Sequence, residues 1–398
     1  MDILIKNARL RRSKGSWDIG INDGVIEKIA RRINSRARTR IDARGGLVTE
    51  SFVNAHLHLC KVYTLMMMSE DALKDYHGAG MGKAMTAIEQ ASQVKEKYDR
   101  KWILPNVRKA LKLAARNGVT HIRAFADVDS KARLEGVRAL IEARREFEGV
   151  VDVQVVAFPQ DGVIREPEAT ALIRKAMELG ADVVGGIPWI EYTEADEQAH
   201  IDAMFELAVA YDKNISMLVD DAGDPGLRTL EKLALATIRE GWEGRVLAHH
   251  ARAMSQYPEP YFMKLMALLK RARLGVVSDP HTGPLHARVK EMLQEGVLVA
   301  LGQDDISDAY YPFGRNNMLE VAFLNAHLLW MTTAEEMEIL YDMISTAAAR
   351  AMGIERFELK AGNPAHLVVL NENNVLEALR NHAEPRAVIS HGALVRMG

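Results

Sequence analysis

Two histidines one residue apart, His56 and His58 in "SFVNAHLHLC", close an apolar segment, and Cys60 follows two residues on. In a strand, residues i and i+2 share a face, so this spacing predicts that the three side chains line up. Imidazole nitrogens and a thiolate are ligands that Zn²⁺ or Fe²⁺ takes, and a carboxylate from elsewhere would complete such a set. Polar residues recur at the ends of later apolar runs. They are Asp127, then Gln160 with Asp161, Trp189 with Glu191, Asp220 with Asp221, His249 with His250, Asp279 with His281, and Gln303 with Asp304 and Asp305. A His-x-His pair alone is a weak motif, more often surface or structural than catalytic. With a histidine at the sixth run and an Asp-Asp pair at the eighth, it points to a hydrolytic metal centre.

Eight strand candidates carry these residues: "FVNAHLHL", "THIRAFADV", "VDVQVVAF", "ADVVGGIP", "NISMLVDD", "RVLAHH", "LGVVSDP" and "VLVALGQDD". Helical stretches such as "KARLEGVRALIEARREF" and "AHIDAMFELAVAYD" lie between them, with apolar residues at helical spacing. This alternation predicts βα units and a parallel sheet. Eight units over residues 51–355 suit an α/β fold, a (β/α)₈ (TIM) barrel, whose active site sits at the carboxyl ends of its strands. A doubly wound open sheet is the runner-up, but no glycine-rich phosphate loop follows the early strands. Residues 1–50 read as short strands with a hairpin turn at Asn22-Asp23-Gly24. Residues 356–398 return to strand-like pieces, "AHLVVL" and "PRAVISHGALVRMG". The two ends are expected to pair into one small flanking β-sandwich domain.

The bulk composition narrows the function classes. The 398 residues are 48% hydrophobic and 26% charged, with a formal net charge of −3, a globular and near-neutral balance that argues against nucleic acid as a partner, since neutralising phosphates needs an excess of basic residues. No apolar run is long enough to cross a membrane, and the first residues lack the apolar core of a signal peptide. The single cysteine excludes an internal disulfide framework and fits a reducing cytoplasm.

The segments "VNAHLHL" on the first strand, "DVQVVAFPQDG" on the third, "ELGADVVGGIP" into the fourth and "GQDDISDAYYPFGRNNMLEV" at the eighth resemble the cytosine deaminase branch of the amidohydrolase superfamily. Triazine N-alkylaminohydrolases belong to the same neighbourhood. The similarity runs across nearly the whole chain. It implies a barrel of this length with a flanking β domain, homo-oligomeric assembly and a small heterocyclic substrate such as a pyrimidine, purine, pterin or triazine. Carried over by position, it makes His56, His58 and Asp304 ligands of one divalent metal, zinc or iron. Asp304 would also take a proton from water, His250 would polarise water or substrate, and Gln160 would read the edge of a flat ring. The expected reaction is hydrolytic removal of ammonia or an amine from a cyclic amidine. A bridging lysine on strand four, needed for a two-metal site, is absent from "ADVVGGIPWIEYT".

The pattern breaks at strand five. There the family carries a histidine ligand and, three residues later, a proton-shuttling glutamate; "NISMLVDDAGD" places Leu218 and Asp221 at those positions. Phe125 replaces a polar position on strand two, and Gln303 replaces a histidine beside Asp304. Leucine cannot ligate, so Asp220, two residues on, and Cys60, continuing the row from His58, are the candidate additional ligands. Each has a plainer reading: Cys60 as a small buried hydrophobe, and Asp220 or Asp221 as a helix cap. Asp221 is the expected proton shuttle. Trp189 and Tyr310 are candidates to stack on the ring, and equally ordinary packing. The methionine-rich stretch from Thr64 to Met85 suits a cover over the pocket or a subunit contact. The alternatives are a metal-free barrel, acting as a ligand-binding protein or as an acid-base lyase or isomerase, and a mononuclear cyclic amidohydrolase.

Overall fold

The computed structural model describes residues 1–67 and 92–396. Its centre is a sheet of eight parallel strands in sequential order: β6 Phe52–Leu57, β7 Val119–Asp127, β8 Asp152–Phe158, β9 Val183–Gly186, β10 Asn214–Val219, β11 Val246–His250, β12 Gly275–Ser278 and β13 Val299–Leu301. These are the eight strands expected, and the (β/α)₈ barrel stands. Parallel strands covered by helices are buried on both faces, which is why they read as nearly continuous apolar runs rather than alternating ones. β6, β7 and β11 are buried at every position. Closure comes from the first strand meeting the end of the last, where Leu57 bridges Asp304 and the Asp304 backbone N–H donates to the His56 carbonyl at 2.9 Å.

Helices pack outside with their apolar stripes inward. Arg100–Arg116 buries Ile103, Leu104, Val107 and Leu111 and begins on the Asp99 cap. Ala169–Leu179 stops at Gly180, whose φ of 105° needs a residue without a Cβ. Inside the barrel, away from the mouth, Arg123 is buried and gives its guanidinium to the Gln154 side chain, the Ser216 hydroxyl and the Met352 carbonyl. That plug satisfies a charge that would otherwise cost heavily in the interior.

Beside the barrel, β1 Ile3–Ala8, β2 Trp17–Asn22, β3 Val25–Ala30 and β4 Thr39–Asp42 form one sheet in the order β3-β2-β1-β4. A second sheet orders β16 Ala393–Leu394, β15 Ala387–Ser390, β14 Leu367–Val369 and β5 Val48–Glu50. One apolar cluster joins Ile5, Ile19 and Ile21 of the first sheet to Val48, Leu367 and Ile389 of the second. The flanking β-sandwich is thus drawn from both early and late sequence. The β2–β3 hairpin turns where the sequence predicted, with Asp23 at φ 48° and Gly24 at φ 79°. Of the methionine-rich stretch, residues 68–85 lie outside the described residues.

Candidate active site

Three strand ends depart from regular backbone where the chemistry-bearing residues sit. Asp220, His250 and Asp304 adopt φ of 46°, 66° and 67°. The left-handed region costs a residue with a Cβ about 1 kcal/mol or more, so such turns persist where tertiary structure dictates them. Each turn re-aims a polar side chain off its strand.

His56, His58, His250 and Asp304 come together, with one ligating atom from each lying within 4.8 Å of the others. His56 Nε2 is 3.1 Å from Asp304 Oδ1, His58 Nε2 3.7 Å and His250 Nε2 3.9 Å. The remaining contacts orient these rings. His56 Nδ1 is 2.7 Å from His249 Nδ1, and His250 Nδ1 is 2.8 Å from Asp279 Oδ1. Asp304 Oδ2 accepts from the Thr282 hydroxyl at 2.8 Å, with the Arg252 guanidinium 3.6 Å away. The group is buried. Burial pushes the Asp304 carboxyl up, but the His250 charge and the neighbouring His56 and His58 imidazoles outweigh it and hold the carboxyl well below its usual range. Burial, with Lys61 and His56, drives His58 well below the ordinary histidine value. For His250, burial lowers the value, yet Asp221, Asp279 and Asp304 together bring it up to about 9.

The strand-five corner separates two adjacent carboxylates. β10 ends at Val219, and the turn at Asp220 sends its side chain away from the cluster. Its oxygens accept from the Thr229 and Leu230 backbone N–H groups, the Thr229 hydroxyl and the Tyr257 hydroxyl. Asp220 therefore serves the start of the helix Thr229–Arg239 and does not compensate for Leu218 as a ligand. Asp221 turns the other way. Its Oδ1 accepts from Arg252 at 2.8 Å, and its Oδ2 lies 3.9 Å from His250 Nε2. Burial raises the Asp221 carboxyl, against the lowering by Arg252 and His250. Leu218 packs with Phe125, Phe158 and Trp189 in an apolar wall, and both phenylalanine rings lie against the His58 ring.

The inward row from His58 to Cys60 does not form. The strand ends at Leu57, and Leu59–Lys61 coil into a 3₁₀ turn. Cys60 Sγ instead accepts from the Asp127 backbone N–H at 3.3 Å and lies 3.6 Å from the Tyr98 hydroxyl, where burial and Asp127 push the thiol up to about 12. A thiol so held stays protonated, so the plainer reading of Cys60 is the one its surroundings support.

The turn that removes Cys60 delivers Lys61. Its ammonium donates to Gln160 Oε1 at 2.8 Å, stands 3.5 Å from Asp127 Oδ1 and lies 4.8 Å from the centroid of the Tyr310 ring. Trp189 is buried, and its indole N–H has no hydrogen-bond partner among the described residues. Glu191 is structural: it accepts from the backbone of Val163, Ile164 and Arg165 and from His200, clamping the loop after β8. His281 Nε2 is 3.3 Å from the Gln303 carbonyl, and Gln303 accepts from the Asn316 backbone. The sequence reading missed Lys61, Arg252 and Thr282. Lys61 was in view, one residue past the His-x-His-x-Cys row; the other two lie on loops after β11 and β12, where nothing in the sequence marks their direction.

Comparison with known proteins agrees with this geometry. A model described as the amidohydrolase family matches residues 39–396. An N-isopropylammelide isopropyl amidohydrolase of Pseudomonas sp. strain ADP is 30% identical over 395 residues, covering 99% of this chain and 97% of the relative. The structure of 5-methylcytosine deaminase from Klebsiella pneumoniae liganded with 5-fluorocytosine superposes with a TM-score of 0.90 at 30% identity, covering 99% and 97% of the two chains. N-isopropylammelide isopropylaminohydrolase from Burkholderia multivorans gives a TM-score of 0.87 at 25% identity, over 99% and 98%.

Proposed function

The chain belongs to the amidohydrolase family, and from that premise we propose that it is a metal-dependent aminohydrolase that cleaves an exocyclic C–N bond of a small nitrogen heterocycle. The observation that carries this reading is the convergence of three imidazoles on one oxygen of Asp304. In the tautomer that places the His56 proton on Nδ1, shared with His249 Nδ1, the lone pairs of His56 Nε2 and Asp304 Oδ1 face each other at 3.1 Å, and His56 Nε2 has no hydrogen-bond partner among the described residues. A divalent cation resolves that opposition, and the donor set of imidazoles and carboxylate suits zinc or iron(II). His56, His58 and Asp304 would hold it; three protein ligands are the usual number at a catalytic zinc, so Leu218 does not disqualify the site. When bound, the cation supplies the Lewis acidity that makes water a nucleophile near neutral pH.

The remaining work falls to this chain's residues. Asp304, gripped on Oδ2 by Thr282, takes the proton of the attacking water on Oδ1. His250, anchored on Asp279, turns Nε2 to a point 3.9 Å from both Asp304 and Asp221, where it donates to the oxygen being added. Asp221 donates a proton to the leaving nitrogen and is reprotonated, through His250 standing between the two carboxylates, by the one Asp304 took. Water's O–H and the ring's C–N bond are thereby exchanged for C–O and N–H. Phe125, Phe158 and Leu218 keep bulk water from the reacting face, while Gln160, Trp189 and Tyr310 orient the ring. The buried free thiol of Cys60 agrees with a reducing cytoplasm, and the exposed Leu328 and Trp330 agree with assembly into a homo-oligomer.

The test is elemental analysis of freshly purified protein, followed by assay of amine release from cytosine, guanine, pterin and N-alkylammelides with and without a chelator. About one zinc or iron per chain and chelator-sensitive release are expected. Protein that stays inactive on every ring after metal loading overturns the reading.

A further inference from the structure

Two ring nitrogens in hydrogen-bond contact share a single proton, and a neutral imidazole that keeps its proton there leaves its other nitrogen bare. His56 Nδ1 and His249 Nδ1 stand in such contact, 2.7 Å apart. Both rings are buried, and the Phe125 ring packs against each, 4.3 Å from His56 and 5.1 Å from His249 between centroids. No carboxylate pairs with His249 among the described residues, so an added proton would leave an uncompensated charge in this pocket, and the ring is neutral. The far nitrogens of the two rings look out on different surroundings. His56 Nε2 stands 3.1 Å from Asp304 Oδ1, inside the cluster, whereas His249 Nε2 is buried without a hydrogen-bond partner among the described residues. One proton therefore decides what the cluster receives. Held by His56, it leaves the His56 Nε2 lone pair turned on the cluster; held by His249, it forces an N–H onto that nitrogen.

We propose that His249 is a positioning residue for the metal: its bare Nδ1 accepts the His56 proton and so fixes His56 in the tautomer whose Nε2 can ligate. His249 is the one hydrogen-bond partner of the His56 ring among the described residues, so no other side chain shares the task. A neutral imidazole does this without burying a second negative charge close to Asp304, as a carboxylate in its place would. The same tautomer leaves the His249 proton on a buried Nε2 that lacks an acceptor, a cost that a cation facing His56 Nε2 offsets. This rests on the aminohydrolase reading, which supplies the metal.

Asparagine and leucine are close in size, but only asparagine can set an accepting oxygen where His249 Nδ1 stands, so the two substitutions separate accepting a proton from filling space. Zinc affinity, measured by competition with a chelator of known strength, should weaken about tenfold or more in His249→Leu. It should be largely kept in His249→Asn. Equal loss in both variants, or loss in neither, overturns the inference. Should the leucine variant fail to fold, wild type alone decides. In the zinc-loaded protein, nitrogen-15 NMR of the imidazoles should find a proton on His56 Nδ1 and none on His249 Nδ1. A proton on His249 Nδ1 overturns the inference and leaves the aminohydrolase reading standing. Wild-type protein that takes up neither zinc nor iron(II) overturns both.

Discussion

At the carboxyl ends of the barrel strands His56, His58 and His250 direct ring nitrogens at one oxygen of Asp304, whereas at the amino ends His366 lies between His121 and His391 beside Asp152. Both gatherings contain three imidazoles and a carboxylate. In the lower one the rings meet edge to face, His366 lying 4.7 Å from His121 and 4.5 Å from His391 between centroids. His121 and His391 reach Asp152 at 3.2 and 3.0 Å, the His391 backbone donates to His366 Nδ1, and the Asp152 side chain is 39% exposed. In the upper one the carboxylate is 5% exposed, the nitrogens His56 Nε2, His58 Nε2 and His250 Nε2 point at its Oδ1, and His56 Nε2 is buried without a hydrogen-bond partner among the described residues. Residue type does not separate the two. The difference is whether the polar atoms satisfy one another or are left facing a shared point, and only the second arrangement asks for a ligand. The lower cluster ties the β-sandwich, through His366 and His391, to the start of β7 and β8.

Mutation can break this contrast at either end. The largest effect is expected from His56→Ala, which should lower metal content from about one per chain to near zero. Loss of several kcal/mol of metal assistance should cost turnover about a thousandfold or more, with no comparable loss of melting temperature. Turnover that survives would instead favour the metal-free barrel. Asp221→Asn should come next, slowing turnover by about a hundredfold as the acid-base group is lost while elemental analysis still finds the metal. A parallel loss of metal would mean that Asp221 ligates rather than shuttles.

The smallest effect lies at the lower cluster and concerns stability alone. Burial, with the charges of His121 and His391, holds His366 down to about 3, against about 6.5 for a free histidine. The folded value is depressed, so the unfolded chain binds a proton that the folded chain refuses between those two values. Stability is then fully retained above about pH 6.5 and falls on acidification, by at most about 1.4 kcal/mol per pH unit from this group. His366→Asn, which can still accept from the His391 backbone, should flatten the acid limb of melting temperature against pH between 5 and 7, leaving metal content and turnover at neutral pH unchanged. An acid limb identical to wild type would show that His366 is not the group responsible.

Strand periodicity carried the fold because the barrel strands are short, apolar and separated by amphipathic helices, a pattern set by burial alone. The site was legible for residues within or a few positions past a strand end, as His56, His58, His250 and Asp304 are. It failed where the chain leaves the strand. Extending the alternation past His58 predicted an inward Cys60, but the 3₁₀ turn rotates that residue away and brings Lys61 in. Asp220 and Asp221 are chemically alike and adjacent, and only the left-handed turn at Asp220 decides which one caps a helix and which faces His250. Arg252 and Thr282 read as ordinary loop residues, because a side chain's direction from an irregular segment has no periodicity to reveal it.

The two-ended origin of the β-sandwich bears on how the chain is made. β5 runs through Ser51 into β6, the strand that carries His56 and His58, yet Glu50 pairs with Leu367 and the Ser51 N–H waits for the His366 carbonyl. During synthesis that edge stays unpaired until β14, more than 300 residues later, has left the ribosome. Contacts so distant in sequence are slow to form, so this region should be among the last to consolidate, and a nascent chain should gain its full grip on metal only after β14 has been made.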